Sequence, residues 1–153
     1  MPYFLTPLIS IAVVCGTLIP IHAGMNATLS RSIGHPVWAT VFSFMGSFVC
    51  LAVFAAVIRP GAPSAASLLS APPWAWLSGL VGVVYVIVTM LVAPRLGAAS
   101  FITSVIAGQM VMALLLDHYG LLGFSQKSVD LKRILGMLLV FAGVAVMQIN
   151  RDS

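Results

Sequence analysis

His22 and Asn26 stand four residues apart in an otherwise apolar stretch, just beyond Pro20. On a helix that spacing stacks both side chains on one face. Proline lacks a backbone donor, so here it leaves the Gly16 carbonyl without its helical partner and is expected to kink the helix. An imidazole and an amide beside such a turn can hydrogen-bond a solute, and the imidazole exchanges protons near neutrality. The alternative is structural, a polar pair bonded to a neighbouring helix. Gln109 is a second polar centre, beside Gly108 and about one turn after Thr103 and Ser104. It either bonds an adjacent helix or contacts a ligand. Tyr85 and Thr89, one turn apart, are placed to line the same cavity, and Trp38 is an aromatic wall or an interface anchor. His22, Asn26, Gln109, Tyr85 and Trp38 are therefore the expected substrate-binding residues. His22 is the proton-coupling candidate. Asp117, in Asp117-His118-Tyr119-Gly120, is expected to pair with His118, Lys132 or Arg133 at a helix end, with Gly120 as a left-handed terminator.

No nucleophile–base pair, metal-ligand spacing, dinucleotide fingerprint or phosphate loop occurs in the sequence. No catalytic residue, metal or cofactor is expected. The composition also excludes an ordinary soluble domain. Of 153 residues, 61% are hydrophobic and 7% charged, whereas about a quarter are charged in soluble domains. Glutamate is absent, and the net charge of +4 reflects scarce acids more than a basic patch, which argues against a nucleic-acid partner.

Five apolar runs must position these side chains: about 3–29, 36–58, 74–92, 97–117 and 132–149. Each approaches the ~17–25 residues with which a helix crosses a bilayer. The runs are solid, without the alternation of a barrel strand, so the fold class is an all-α membrane protein of five transmembrane helices. The N-terminus lacks the positive region of a cleaved signal, and the first run is expected to remain as a span. Tyr3, Phe4, Trp74, Trp76 and Tyr119 suit the membrane interfaces. The 31–35 and 93–96 segments read as short turns, and 60–73 and 118–133 as longer gaps, so residues 1–153 form one membrane domain. Cys15 and Cys50 fall inside spans and read as packing residues. Small residues recur at helical spacing: Ser100, Ser104 and Gly108 at intervals of four, and Gly136 with Gly143 one heptad apart. Such stripes let helices approach closely, and these five residues are the candidates for dimer packing, with Gly136 and Gly143 foremost.

If every run crosses, Arg59, Lys127, Lys132 and Arg133 lie on one side, and Arg31, Arg95 and Arg151 on the other. Cation bias normally fixes orientation. Four against three fixes almost nothing, so the chain is expected to insert both ways up. Two inverted copies of a five-helix chain make an inverted-repeat bundle of ten helices, the architecture of alternating access about a midplane site. The expected partners are thus the lipid bilayer, a small-molecule substrate and a second copy of the chain as an antiparallel homodimer. A small dual-topology ion channel and a non-transporting subunit of a larger membrane complex are the rival readings.

Pro20-Ile21-His22-Ala23-Gly24-Met25-Asn26-Ala27, Trp74-Ala75-Trp76-Leu77-Ser78-Gly79, Ala93-Pro94-Arg95-Leu96-Gly97-Ala98, Ala107-Gly108-Gln109 and Asp117-His118-Tyr119-Gly120-Leu121-Leu122-Gly123 carry a family likeness. With the closing Gly136…Gly143 helix they resemble the YdcZ-like short transporters of the bacterial drug/metabolite transporter superfamily, over nearly the full chain. That resemblance implies a bacterial inner-membrane exporter built from five-helix units and related to the small multidrug-resistance exporters. In that relative a first-helix glutamate couples protons to cationic drugs. This chain has no glutamate, and glutamine stands in many family members where it has His22. The lack of a buried acid leaves a cation without a counter-ion, so neutral or weakly polar substrates are equally expected.

Overall fold

The computed structural model describes residues 5–149, and the expected anchors Tyr3 and Phe4, together with Arg151, lie outside that range. Among the described residues the secondary structure is helical throughout: α1 Leu5–Ile33, α2 Pro36–Ile58, α3 Ala65–Ser70, α4 Ser78–Leu96, α5 Ala98–Tyr119 and α6 Leu131–Ile149. A 3₁₀ turn, Pro73–Leu77, leads into α4, and another, Leu121–Gly123, follows α5. Five segments are long and apolar enough to cross a membrane, namely Pro7–Ile33, Pro36–Ile58, Pro73–Leu96, Ala98–Tyr119 and Leu131–Ile149. The shortest has 19 residues. At about 1.5 Å per residue it matches the ~30 Å hydrocarbon core.

Local chemistry fixes the helix ends. Pro36 opens α2, where its missing amide proton is no loss, and the His35 ring accepts the Val37 amide at 3.2 Å as N-cap. Ser64 caps α3 through the Ser67 amide at 3.1 Å, and Asp130 caps α6 through the Arg133 amide at 2.9 Å. Gly120 ends α5 in the left-handed region, at φ 61° and ψ 36°, as expected. A side chain there is doubly disfavoured, because an added Cβ would also meet Gln126 Cβ at 3.2 Å.

Three boundaries depart from the sequence expectation. The first helix continues through Arg31 to Ile33, and the turn is made by Gly34 at φ 83°. Apolar content ends before the helix does, since a cation suits a last helical turn at the membrane edge. The 93–96 segment is no turn: α4 includes Pro94 and ends at Leu96, and Gly97, φ 75°, separates it from α5. Pro94 lies so near the end that the hydrogen bond it forfeits breaks no further turns. Between the second and third long helices, 65–70 forms the short α3.

The chain forms two compact units, Met1–Arg95 and Leu96–Ser153. In the first, α1 and α2 form a close hairpin in which Ala23, Ala27 and Ala39 are buried. Ala39, Val86 and Met90 make a small apolar core, with Leu29 packed against it. In the second, α5 and α6 form another hairpin, tied at one end by the Arg133–Asp117 ion pair at 3.0 Å. The expected structural pairing of Asp117 is thus with Arg133. The Lys127 backbone amide donates to the Asp117 carbonyl at 2.7 Å and the Gln126 side-chain amide to the His118 carbonyl at 3.0 Å, closing the 120–130 connection. Cys15 and Cys50, expected to be packing residues, are free and exposed on this chain. Each lies in a nearly all-apolar helix whose outer surface faces away from the chain, where lipid or another polypeptide covers it.

Candidate functional site

The buried face of α1 is Ala23, Asn26 and Ala27, spaced three and four residues apart as one side of a helix requires. Ala23 and Ala27 are small, which suits the close approach of α1 and α2, and Asn26 between them is 4% exposed. A buried amide requires a partner, and Asn26 finds one a turn back on its own helix. Its Nδ2 lies 2.9 Å from His22 Nε2 and 3.3 Å from Nδ1. In this arrangement the amide donates to an unprotonated ring nitrogen. Turned over, the same amide would present its oxygen to a protonated ring. The pair accommodates either charge state of His22, whose ring remains accessible while Asn26 does not.

Two further buried polar residues, Thr40 on α2 and Thr89 on α4, belong to the same unit. Thr40 Oγ1 is bonded to the Pro36 carbonyl at 2.9 Å and approaches Met90 Sδ at 3.7 Å, a contact linking α2 to α4. Thr89 Oγ1 has no hydrogen-bond partner among the described residues. Trp38 and Tyr85 are also in this unit, both exposed, Tyr85 being the more covered. Between α2 and α4 runs a groove of about 600 Å³, walled by Val37, Val41, Phe44, Phe48, Val83 and Ile87 with Thr40 as a polar edge. Neither Thr40 nor the groove emerged from the sequence. The heptad-like spacing of Val37, Val41, Phe44 and Phe48 was the available signal, but on a lipid-facing helix such a stripe carries little information.

In the second unit Gln109 is exposed on α5, while Phe101 and Ala107 form that helix's buried side. Ser104 accepts a long 3.5 Å hydrogen bond from Gln148 Nε2 of α6, so part of the Ser100/Ser104/Gly108 stripe meets a helix of its own chain. The Ser104 hydroxyl also donates to the Ser100 carbonyl at 2.8 Å. Gly136 and Gly143 differ. A Cβ added at either meets nothing within 4 Å, which leaves both open on α6. No residue of α6 is buried.

Residues 7–146 match the family described as "Putative inner membrane exporter, YdcZ". The chain belongs to this family. With five membrane-spanning-type helices, this YdcZ-family chain is a multi-pass inner-membrane protein, in agreement with the resemblance noted in its motifs. The match includes all five expected substrate-binding positions. A search of curated proteins and of solved structures returned no match.

Proposed function

We propose that this YdcZ-family chain exports a small organic solute by alternating access, as an antiparallel homodimer acting through one membrane domain per copy. The observation that carries the reading is Asn26, an amide 4% exposed and bonded to His22 inside a continuous membrane-spanning helix that contains Pro20. Polar groups at membrane depth are costly to keep and mark a pathway by default. His22, Asn26, Gln109, Tyr85 and Trp38 supply the polar and aromatic lining, and His22 takes up or releases the coupled proton. The homodimer is supported by the near balance of flanking cations and by the open Gly136 and Gly143 on α6. Two inverted copies then supply the symmetry that single-chain transporters obtain from internal repeats.

The test is expression in a bacterial host lacking its major drug exporters, challenged with an array of toxic compounds. Protection against at least one compound is expected, and Asn26→Ala at equal membrane abundance should abolish it. Protection that survives Asn26→Ala, or no altered sensitivity anywhere in the array, overturns the reading. Single-channel currents from the purified protein would replace it with the channel reading.

A further inference from the structure

On the long helices, five hydroxyl side chains bond back to their own backbone. Thr17 donates to the Val14 carbonyl at 2.7 Å, Thr40 to Pro36 at 2.9 Å, Ser47 to Ser43 at 3.0 Å, Thr103 to Ala99 at 2.7 Å and Ser104 to Ser100 at 2.8 Å. This local bond satisfies a hydroxyl cheaply wherever water is absent. Thr89 departs from the habit. It is 3% exposed, and its Oγ1 is sealed from solvent with no hydrogen-bond partner among the described residues. A buried hydroxyl without a partner destabilises the closed packing around it, and each such group in a folded protein calls for an explanation.

Its position supplies one. Thr89 shares the buried side of α4 with Val86 and Met90, which cluster with Ala39 of α2, and Leu29 of α1 packs against that cluster. Among the described residues no Cα of α4 comes within 8 Å of a Cα of α1 or α2, whereas α1 and α2 approach that closely. The hairpin is tight and α4 is held to it by side chains alone. Separating α4 therefore breaks few contacts and exposes a hydroxyl that gains a hydrogen bond by being exposed. The buried polar groups of this unit are one amide and two hydroxyls, from Asn26, Thr40 and Thr89, with no buried charge among the described residues.

We propose that Thr89 contacts the transported solute, and that the interior it occupies takes small uncharged solutes able to hydrogen-bond. The inference rests on the transport reading and names its substrate class. An ion entering this interior would lose its hydration without meeting a counter-charge, a penalty that a neutral hydrogen-bonding solute escapes. The solute would bond Thr89 Oγ1 as α4 swings away, so binding and opening favour one another.

The experiment places a single cysteine by Thr89→Cys in a background without Cys15 and Cys50, in proteoliposomes. Modification is timed with three thiol reagents: neutral methyl methanethiosulfonate and its cationic trimethylammonium-ethyl and anionic sulfonato-ethyl analogues. Rates are normalised to Ala62→Cys, an exposed connecting position, and compared with native Cys50 alone on the apolar outer surface. The neutral reagent should modify position 89 at least tenfold faster than either charged one, and faster than it modifies Cys50. Equal rates for all three reagents, or a rate at 89 no greater than at Cys50, overturns the proposal. A second variant, Thr89→Val, should melt no lower than the wild type, because it removes a hydroxyl that nothing in the fold satisfies. A clear fall in its Tm shows a partner within the fold and also overturns the proposal. Neither readout uses a substrate, so each can fail while the resistance test succeeds, and the reverse.

Discussion

Asn26 and His22 illustrate how two residues divide one task. The amide is buried, while the ring it bonds is accessible. Replacing His22 by glutamine keeps an acceptor for the Asn26 amide, so His22→Gln should fold and reach the membrane at wild-type levels. If His22 carries the coupled proton, this variant loses the pH dependence of transport. A pH profile of export that is unchanged by the substitution removes His22 as carrier while leaving Asn26 in the pathway. Asn26→Ala should lower stability by only about 0.5–1.5 kcal/mol, the net contribution of an intramolecular hydrogen bond, yet abolish export. Thermal unfolding in detergent measured beside export separates the two effects. Thr40→Val should cost about 1 kcal/mol, because that hydroxyl donates a well-formed hydrogen bond. A Thr40→Val protein as stable as wild type would show that the bond to the Pro36 carbonyl makes no net contribution.

Among the elements, the α5–α6 hairpin shows which contacts matter. Its Asp117–Arg133 pair is about one-third exposed on each side, and exposed pairs contribute only about 0–1 kcal/mol. Gly120 is more consequential. A non-glycine residue in the left-handed region is strained by about 1–2 kcal/mol, and the 3.2 Å approach of Gln126 adds to that. Gly120→Ala should therefore lower the unfolding temperature more than Asp117→Asn does, and the reverse order would mean the hairpin end is held electrostatically. The glycine could be recognised from sequence alone, because a glycine following an apolar run and an Asp-His-Tyr end has few other uses. The five spans were legible for the same reason: nineteen or more nearly uncharged residues leave the backbone no alternative in a bilayer. Their ends were not. Arg31 is helical and Pro94 is helical, since a lone cation or a proline in a final turn breaks too little to stop a helix. Of the candidate site, the His22–Asn26 contact followed from spacing alone. The sealing of Asn26 and Thr89 did not, because burial depends on which helix faces which, and a chain apolar on every face does not encode that in its pattern.

At the level of the whole molecule, the proposed dual insertion rests on flanking cations that differ by one between the two sides, so a small change in charge should have a large effect. Gly61 and Ala62 lie in the exposed connection after α2. Lysines at both raise that side from four cations to six against three, and should place it in the cytoplasm in every copy. Arg59→Ser, Lys127→Ser and Lys132→Ser together leave one against three and should insert the chain the other way. A homodimer of inverted copies cannot form from either variant alone, since each population would point one way. Export should then be lost in both, with membrane abundance unchanged, and return when the two are expressed together, because the mixture again supplies both orientations. Side-specific labelling of a cysteine at Ser70 in each variant verifies the orientations independently of export. Two outcomes defeat the antiparallel arrangement: either variant exporting by itself, or a mixture that stays inactive although labelling shows both orientations present. The first places the pathway within a single copy or a parallel pair. The second shows that opposite orientations do not suffice to build it.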